Sequence, residues 1–360
     1  MSALPIVADW RRAVAGLMPD RHRHQTNALA DLSFAVALAG DCRAGRLSPH
    51  VPTTARPASA RRRFERLLDN PRLFPRRAQR ELARALLEHW TGATVLLILD
   101  ETPRANDLRA LCVRVAYARR ALPLAWVCYA PDAPPRPMPR LVRDLLRQVR
   151  GCLPEGCNVV LLADRGLAWP VLIDFCTASG WHYVLRLQHH IRVRFPDGTE
   201  RAAGELAPRV GARWCGEAAA MKAAGWRGAG VVALWDAGMK EPWVLLVDEP
   251  GRLRHARAYA KRMWVEESFR DDKSGALGWD KSAVREPVHV SRLLLVLALA
   301  LIQAASAGTE LTRAGRRKQL DPRRGRRVSV VQLGLRRLRA AVLHGDAHEL
   351  KLGRLYLYPR

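Results

Sequence analysis

What this 360-residue sequence lacks excludes several classes of protein. Its seven cysteines are scattered without a Cys-x-x-Cys pair, so neither a disulfide framework nor a zinc ribbon is expected. The longest apolar run, residues 293–302, has only ten residues, whereas a membrane-spanning helix needs about 20. The N-terminus does not have the pattern of a signal peptide. We therefore expect a cytoplasmic protein without membrane contacts, in which the apolar run forms a buried core helix.

Acidic side chains are scarce relative to basic ones. The chain has 34 Asp and Glu against 60 Lys and Arg, which gives a formal net charge of +26. Residues 1–90 hold 16 basic and 8 acidic side chains, and residues 311–360 hold 14 and 3, so most of the excess lies at the two ends. A surface of this sign attracts polyanions. We expect both ends to contact nucleic acid.

The N-terminal 90 residues are predicted to be mostly helical. One predicted helix begins near Ser59 and carries three consecutive cations, Arg61, Arg62 and Arg63. Such a cluster is typical of a helix that contacts DNA phosphates. A plain helical domain with a charged, solvated face is the alternative.

Two apolar runs in the middle of the chain each end in an aspartate. Residues 94–102 (TVLLILDET) and 158–166 (NVVLLADRG) have the unbroken apolar pattern of strands buried on both faces. Asp100 and Asp164 lie at the ends of these strands, where side chains of neighbouring strands can converge. Taken singly, an Asp at a strand end is more often a turn or helix N-cap residue than a catalytic one.

Residues 259–273 (YAKRMWVEESFRDDK) contain no helix breaker and predict one helix. Residues seven apart lie on one face of a helix, so Tyr259, Glu266 and Lys273 are expected to be aligned. Arg262 and Arg270 flank Glu266 at four residues on either side. This face suits a metal-bound phosphodiester; ordinary solvated ion pairs are the alternative.

Three carboxylates, Asp100, Asp164 and Glu266, thus come from two strands and one helix. Their hard oxygen ligands suit Mg²⁺ or Mn²⁺. Two such ions would activate the attacking oxygen and stabilise the departing one in a phosphoryl displacement. Water or a DNA 3′-hydroxyl would then be the nucleophile. We predict that the three side chains meet in the fold.

The chain resembles insertion-sequence transposases of the DDE class that have a Tyr-Arg-Glu-Lys signature. The signature separates its members by two, three and six residues, and four positions fit it: Tyr259, Arg262, Glu266 and Lys273. The resemblance extends to further motifs: LDET (99–102), YARRALPL (117–124), ADRG (163–166), YVLRL (183–187), FRDDKSGALGWD (269–280) and the later RLLLVLALAL.

The resemblance implies an α/β fold with a ribonuclease H-like mixed-sheet core. The implied parts are a helical DNA-binding domain (1–90), the first part of the catalytic core (91–188), a β-rich insertion (189–250) and the second part of the core (251–310). The basic C-terminal tail (311–360), for which the sequence pattern predicts a final helix, is not part of the resemblance. It also implies work as a homodimer on paired transposon ends, in a bacterial cytoplasm and at the nucleoid when DNA is bound.

The resemblance also implies residue roles. Asp100, Asp164 and Glu266 would be the catalytic metal ligands. The implied DNA contacts are Tyr259, Arg262, Lys273, Arg270 and Arg186. Trp243 matches a tryptophan that holds a flipped base, and sheet packing is an equal alternative. The predicted function is transposition by cleavage and 3′-hydroxyl transfer. The alternatives are a nuclease that does not join DNA and a basic DNA-binding protein without catalysis.

Overall fold

The computed structural model describes residues 4–322 and 328–345, together with Leu352 and Leu355. Residues 1–3 and the remaining parts of the expected 311–360 tail lie outside the described residues. The fold is mixed α/β. Its helices are α1 (Leu4–Leu17), α2 (Arg23–Ala39), α3 (Ala44–Leu47), α4 (Pro57–Asp69), α5 (Pro75–Leu87), α6 (Met138–Arg150), α7 (Pro170–Ser179), α8 (Leu253–Ala260), α9 (Trp264–Arg270), α10 (Pro287–Arg313) and α11 (Val330–His344).

The described residues form one large mixed sheet of eight strands and a separate two-stranded ribbon. The strands are β1 (Thr94–Arg104), β2 (Leu108–Tyr117), β3 (Arg120–Tyr129), β4 (Asn158–Ala163), β5 (His182–Arg186), β6 (Arg192–Arg194), β7 (Glu200–Ala202), β8 (Arg213–Gly216), β9 (Gly230–Leu234) and β10 (Trp243–Val247). The order in the large sheet is β3-β2-β1-β4-β5-β10-β9-β8, and β6 pairs with β7. This arrangement is consistent with a ribonuclease H-like core.

The centre of the sheet consists of the apolar runs that the sequence predicted as strands. β1 pairs in parallel with β4, and β4 pairs in parallel with β5. Val95, Leu97 and Leu161 are fully buried, as expected for strands covered on both faces. The parallel pairing of β1 with β4 therefore stops at Leu99 and Ala163, directly before the two aspartates.

The hairpin that joins β2 to β3 has a two-residue turn. Ala118 and Arg119 both have positive φ values, 48° and 65°, which matches the turn that follows the twist of a tight hairpin. The apolar patterns of residues 111–117 and 122–129 predict two strands joined across residues 118–121. The structure confirms this hairpin, with a turn two residues shorter than the predicted connection.

Residues 189–250 add strands to the same sheet. β10 pairs antiparallel with β5, and β9 and β8 follow in order. Leu245 of β10 stands opposite Arg186 of β5. The segment that the sequence indicated as a β-rich insertion thus continues the sheet of the core through backbone hydrogen bonds.

The N-terminal helices pack on the sheet and on the long helix α10. α2, α4 and α5 contact α10, and α5 also contacts β3. Gln79 of α5 donates to the backbone oxygen of Trp126 at 3.1 Å and accepts from the backbone nitrogen of the same residue at 3.4 Å. Because both residues are buried, these hydrogen bonds fix α5 against β3.

Among the described residues, α10 is the one helix long and apolar enough to cross a membrane, and 89% of its most apolar stretch is buried by the rest of the protein. This is the environment of a core helix, as predicted for the run 293–302. α11 packs against it at Gly308 and Gly334, where an added Cβ would overlap a backbone carbonyl of the other helix. The seven cysteines are free thiols, as predicted.

Candidate active site

Asp100 and Asp164 lie side by side at one edge of the sheet. The last paired residues of the parallel β1–β4 ladder are Leu99 and Ala163. Asp100 directly follows Leu99 in sequence, and Asp164 directly follows Ala163. β1 itself continues to Arg104 through its pairing with β2, so Asp100 lies within the strand instead of at its end. Each carboxylate also accepts from the next backbone N–H. Asp100 is nearly buried, whereas the Asp164 side chain is 31% exposed.

The 259–273 segment is not the single helix that the sequence predicted. α8 ends at Ala260, a 3₁₀ turn spans Lys261–Met263, and α9 is followed by a π turn over Asp271–Gly275. Lys273 has non-helical backbone angles. Because the segment contains no breaker before Gly275, the cause lies in tertiary contacts, which outweigh weak local propensity.

Those contacts come from the β2–β3 hairpin. Arg114 of β2 makes a buried ion pair with Asp272, and Arg120 pairs with Asp271 at 2.6 Å. Lys273 turns to the end of β1, where its ammonium donates to Thr102 Oγ1 at 2.8 Å and to the Pro103 oxygen at 2.7 Å. Consecutive side chains are thus held by different strands, which a regular helix does not allow.

The three carboxylates meet at the guanidinium of Arg262. Its Nη2 lies 2.7 Å from Asp100 Oδ2 and 3.6 Å from Asp164 Oδ2, and its Nη1 lies 3.2 Å from Glu266 Oε1. The Arg262 side chain is only 8% exposed, whereas that of Glu266 is 48% exposed. The predicted convergence of the three acids is therefore present, with a cation between them.

Burial and charge shift the acid–base behaviour of this cluster. Burial raises the pKa of Asp100 from its ordinary 3.8 to about 6; Arg262 opposes this rise and the charge of Glu266 adds to it. Burial and the charge of Asp164 also raise the pKa of Tyr259 well above its ordinary range. Tyr259 is thus a neutral hydrogen-bond donor at physiological pH.

Tyr259 and Trp243 form the wall of the cluster on the Asp164 side. The Tyr259 hydroxyl donates to Asp164 Oδ1 at 3.3 Å. The Trp243 ring packs edge-on against the Tyr259 ring, with 5.0 Å between the ring centroids. Trp243 is half-buried and Tyr259 is buried. Trp243 therefore packs against Tyr259 and remains partly exposed to solvent.

Other residues that the sequence singled out are not joined to the carboxylates. Arg270 is exposed and pairs with Glu267 at 3.1 Å. Arg61, Arg62 and Arg63 lie on α4; Arg61 pairs with Glu65, and Arg63 pairs with the buried Asp31. Among the described residues, none of these four cations forms an ion pair with the three carboxylates.

A second group of charges borders Asp164. Arg186 Nη1 lies 3.9 Å from Asp164 Oδ1, and Arg186 Nη2 lies 2.8 Å from Glu241 Oε1. Arg165 Nη1 lies 2.8 Å from Glu241 Oε2. The sequence indicated Arg186 but neither Arg165 nor Glu241. Arg165 follows Asp164 directly, which was a usable signal; Glu241 lies in a connection without a recognisable pattern.

The donor set of the cluster suits a hard divalent cation. Three carboxylates supply only oxygen ligands, which Mg²⁺ and Mn²⁺ prefer. In the part of the chain that the structure describes, no group of three or more His, Cys, Asp or Glu is arranged to hold a metal ion. The Arg262 guanidinium lies between the carboxylates, and its buried Nε has no hydrogen-bond partner there. With the guanidinium in this position, the donor atoms have the chemistry of a divalent-cation site but not the arrangement of one.

Comparison with known proteins supports one family for this chain. Residues 136–303, just under half of the chain, match the family model described as transposase DDE domain. The matched range contains Asp164, Arg262 and Glu266 and begins after Asp100. No curated protein matches the chain at a significant level. DDE transposases are polynucleotidyl transferases that bind DNA and generally use divalent metal ions, and the family match supports a transposase of the DDE class.

Proposed function

We propose that this protein cuts DNA at the ends of an insertion sequence and transfers the resulting 3′-hydroxyl to target DNA. One observation carries the proposal: carboxylates from β1, the end of β4 and α9 meet at a single guanidinium. Three acids that are far apart in sequence and close in space, in a chain of net charge +26, favour metal-assisted chemistry on a polyanion.

Asp100, Asp164 and Glu266 would hold the metal, for which Mg²⁺ or Mn²⁺ in a pair of sites is the best match to the ligands. Bound ions would polarise the scissile phosphate and stabilise the departing oxygen. Lys273 and Arg262 would donate to phosphate oxygens as charge-assisted hydrogen-bond donors. Arg262 becomes available for this contact when the carboxylates no longer depend on it for neutralisation.

The remaining assignments concern the grip on DNA. The buried hydroxyl of Tyr259 would position Asp164, to which it already donates. The exposed part of the Trp243 ring would stack against a base displaced from the duplex. Arg270, and Arg61 to Arg63 in the 1–90 domain, would contact phosphates of the terminal inverted repeats. We further propose that residues 251–310 complete the catalytic core and that residues 311–360 form a basic tail. The protein would work as a homodimer on paired transposon ends, in a bacterial cytoplasm and at the nucleoid when DNA is bound.

The first test compares two neighbouring glutamates. Glu266→Gln removes a proposed metal ligand, while Glu267→Gln removes the same charge from a side chain that pairs with Arg270. We expect Glu266→Gln to abolish Mg²⁺-dependent nicking of supercoiled DNA and Glu267→Gln to retain it. Nicking by Glu266→Gln at the wild-type rate would refute the catalytic assignment.

A second assay separates the proposed function from its alternatives. The wild-type protein should join a labelled transposon end to target DNA in Mg²⁺ and not in EDTA. Nicking without joining would identify a nuclease. DNA binding without either reaction would identify a DNA-binding protein that performs no chemistry.

A further inference from the structure

Glu241 holds two arginines beside the carboxylate cluster in an arrangement that resembles phosphate binding. Each of its two oxygens takes one guanidinium at 2.8 Å: Oε2 contacts Arg165, and Oε1 contacts Arg186. A phosphodiester also presents two non-bridging oxygens on one atom, and paired guanidiniums bind such groups through parallel charge-assisted hydrogen bonds.

Arg165 and Arg186 both lie next to Asp164, so one ligand can contact the two guanidiniums and the region of Asp164 together. Arg165 directly follows Asp164, and Arg186 Nη1 lies 3.9 Å from the Asp164 carboxylate. The Arg165 side chain is 45% exposed, so the cluster is open to solvent. A DNA strand bound at Asp164 would therefore place a neighbouring phosphate against the two guanidiniums.

Arg186 is incompletely satisfied by its present partners. Its Nε is buried and has no hydrogen-bond partner among the described residues. A buried donor without an acceptor is uncommon and is often explained by a missing ligand. Glu241 itself is only partly buried, and although that burial raises its pKa, Arg186 and Arg165 outweigh the effect and lower it. The group between the arginines is thus an anion at neutral pH.

We propose that Arg165 and Arg186 form a second phosphate-binding site for the DNA backbone, which the Glu241 carboxylate occupies in the absence of DNA. The proposal rests on the proposed function, because it takes DNA as the substrate. Glu241 competes with the phosphate for the same two guanidiniums. It lies in the connection between β9 and β10, and this connection places the competitor beside Asp164.

The test measures binding of a fluorescent linear DNA duplex of mixed sequence in EDTA, over a series of salt concentrations. Glu241→Gln should bind roughly fivefold more tightly, since displacement of a partly exposed ion pair is no longer required. Its affinity should also fall more steeply with salt, by about one to two counterions, because the two cations contact phosphate without a competing carboxylate. Asp236→Asn is the matched control, because it removes the same charge from the same connection. The Asp236 carboxylate pairs with Arg213 instead of Arg165 and Arg186.

The double variant identifies the cations. Arg165→Ala should remove most of the gain when combined with Glu241→Gln and should weaken binding less in the wild-type background, where the cost of displacing Glu241 offsets part of the contact. Equal binding by Glu241→Gln and Asp236→Asn, or weaker binding by Glu241→Gln, would overturn the site. Binding in EDTA does not require cleavage, so this failure is distinct from failure of the catalytic assignment, which the nicking assay of Glu266→Gln reports.

Discussion

The guanidinium of Arg262 lies 2.7 Å from the carboxylate of Asp100, although 162 residues separate the two in sequence. Both side chains are nearly buried, at 8% and 10% exposure. A buried ion pair is strongly destabilised when one partner is removed, because the other charge is left without compensation. Arg262 therefore acts as the internal counter-ion of the metal-free cluster, and this role can be separated experimentally from a role in DNA binding.

Arg262→Ala should destabilise the metal-free protein by about 3–5 kcal/mol, since three carboxylates lose their common cation. Mn²⁺ should restore much of the loss, because a divalent ion replaces the missing charge. The measurement is urea unfolding in EDTA and in MnCl₂. The control, Arg270→Ala, removes an exposed cation and should change stability by about 0–1 kcal/mol. If Mn²⁺ stabilised the wild type, Arg262→Ala and Arg270→Ala equally, the counter-ion role of Arg262 would be contradicted.

Asp100 should make stability depend on pH. Because burial raises its pKa in the folded protein from 3.8 to about 6, the folded state keeps a proton that the unfolded state loses between these values. The contribution of Asp100 to stability therefore falls as pH rises from about 4 to about 6, by up to about 3 kcal/mol. Urea unfolding of the wild type and Asp100→Asn in metal-free buffer should show this difference. Parallel pH profiles would contradict it.

The buried pair between Arg114 and Asp272 should be a major determinant of stability. Asp272→Asn leaves the buried Arg114 guanidinium without its counter-charge, while the Phe269 ring at 4.5 Å and the backbone oxygen of Ala121 remain as partners. We expect a loss of about 3–5 kcal/mol, measured by urea unfolding, and recovery of most of it in the double variant Arg114→Met with Asp272→Leu. Glu65→Gln, which removes the exposed pair with Arg61, should cost only about 0–1 kcal/mol.

The basic run on α4 should divide into DNA-binding and structural residues. Arg62 is exposed and makes no ion pair among the described residues, so Arg62→Ala should weaken DNA binding and flatten its salt dependence by about one counterion. Arg63 pairs with the buried Asp31. Arg63→Ala should therefore lower the melting temperature, while Arg62→Ala should leave it unchanged. If Arg62→Ala and Arg63→Ala changed DNA affinity and melting temperature to the same extent, this division would be wrong.

The sequence predicted those features that depend on local pattern. The apolar runs before Asp100 and Asp164 predicted buried strands, and parallel pairing of such strands brings their ends to one edge. The sequence did not predict the interruption of the 259–273 helix, because its cause lies in Arg114 and Arg120 on a distant hairpin. Local propensity carries no information about a partner about 150 residues away.

The continuation of the sheet into residues 189–250 also escaped prediction. These strands are three to five residues long and separated by irregular connections, so periodicity gave no order for them. Glu241 was missed for the same reason, since its relation to Arg186 arises only when β10 pairs with β5.

The pairing of Leu245 with Arg186 restricts which parts of the protein can move when DNA enters. β5 is hydrogen-bonded to β4 on one side and to β10 on the other, so a hinge between the core and β8–β10 would require the rupture of several backbone hydrogen bonds at once. We therefore expect the core strands and β8–β10 to move as one rigid unit. The helical side has a different character, because the chain between Ala260 and Gly275 changes its winding three times within 15 residues. Small torsional adjustments there would displace Arg262 and Lys273 relative to the two aspartates, so we expect the motion that admits DNA to the carboxylate cluster to occur along this segment.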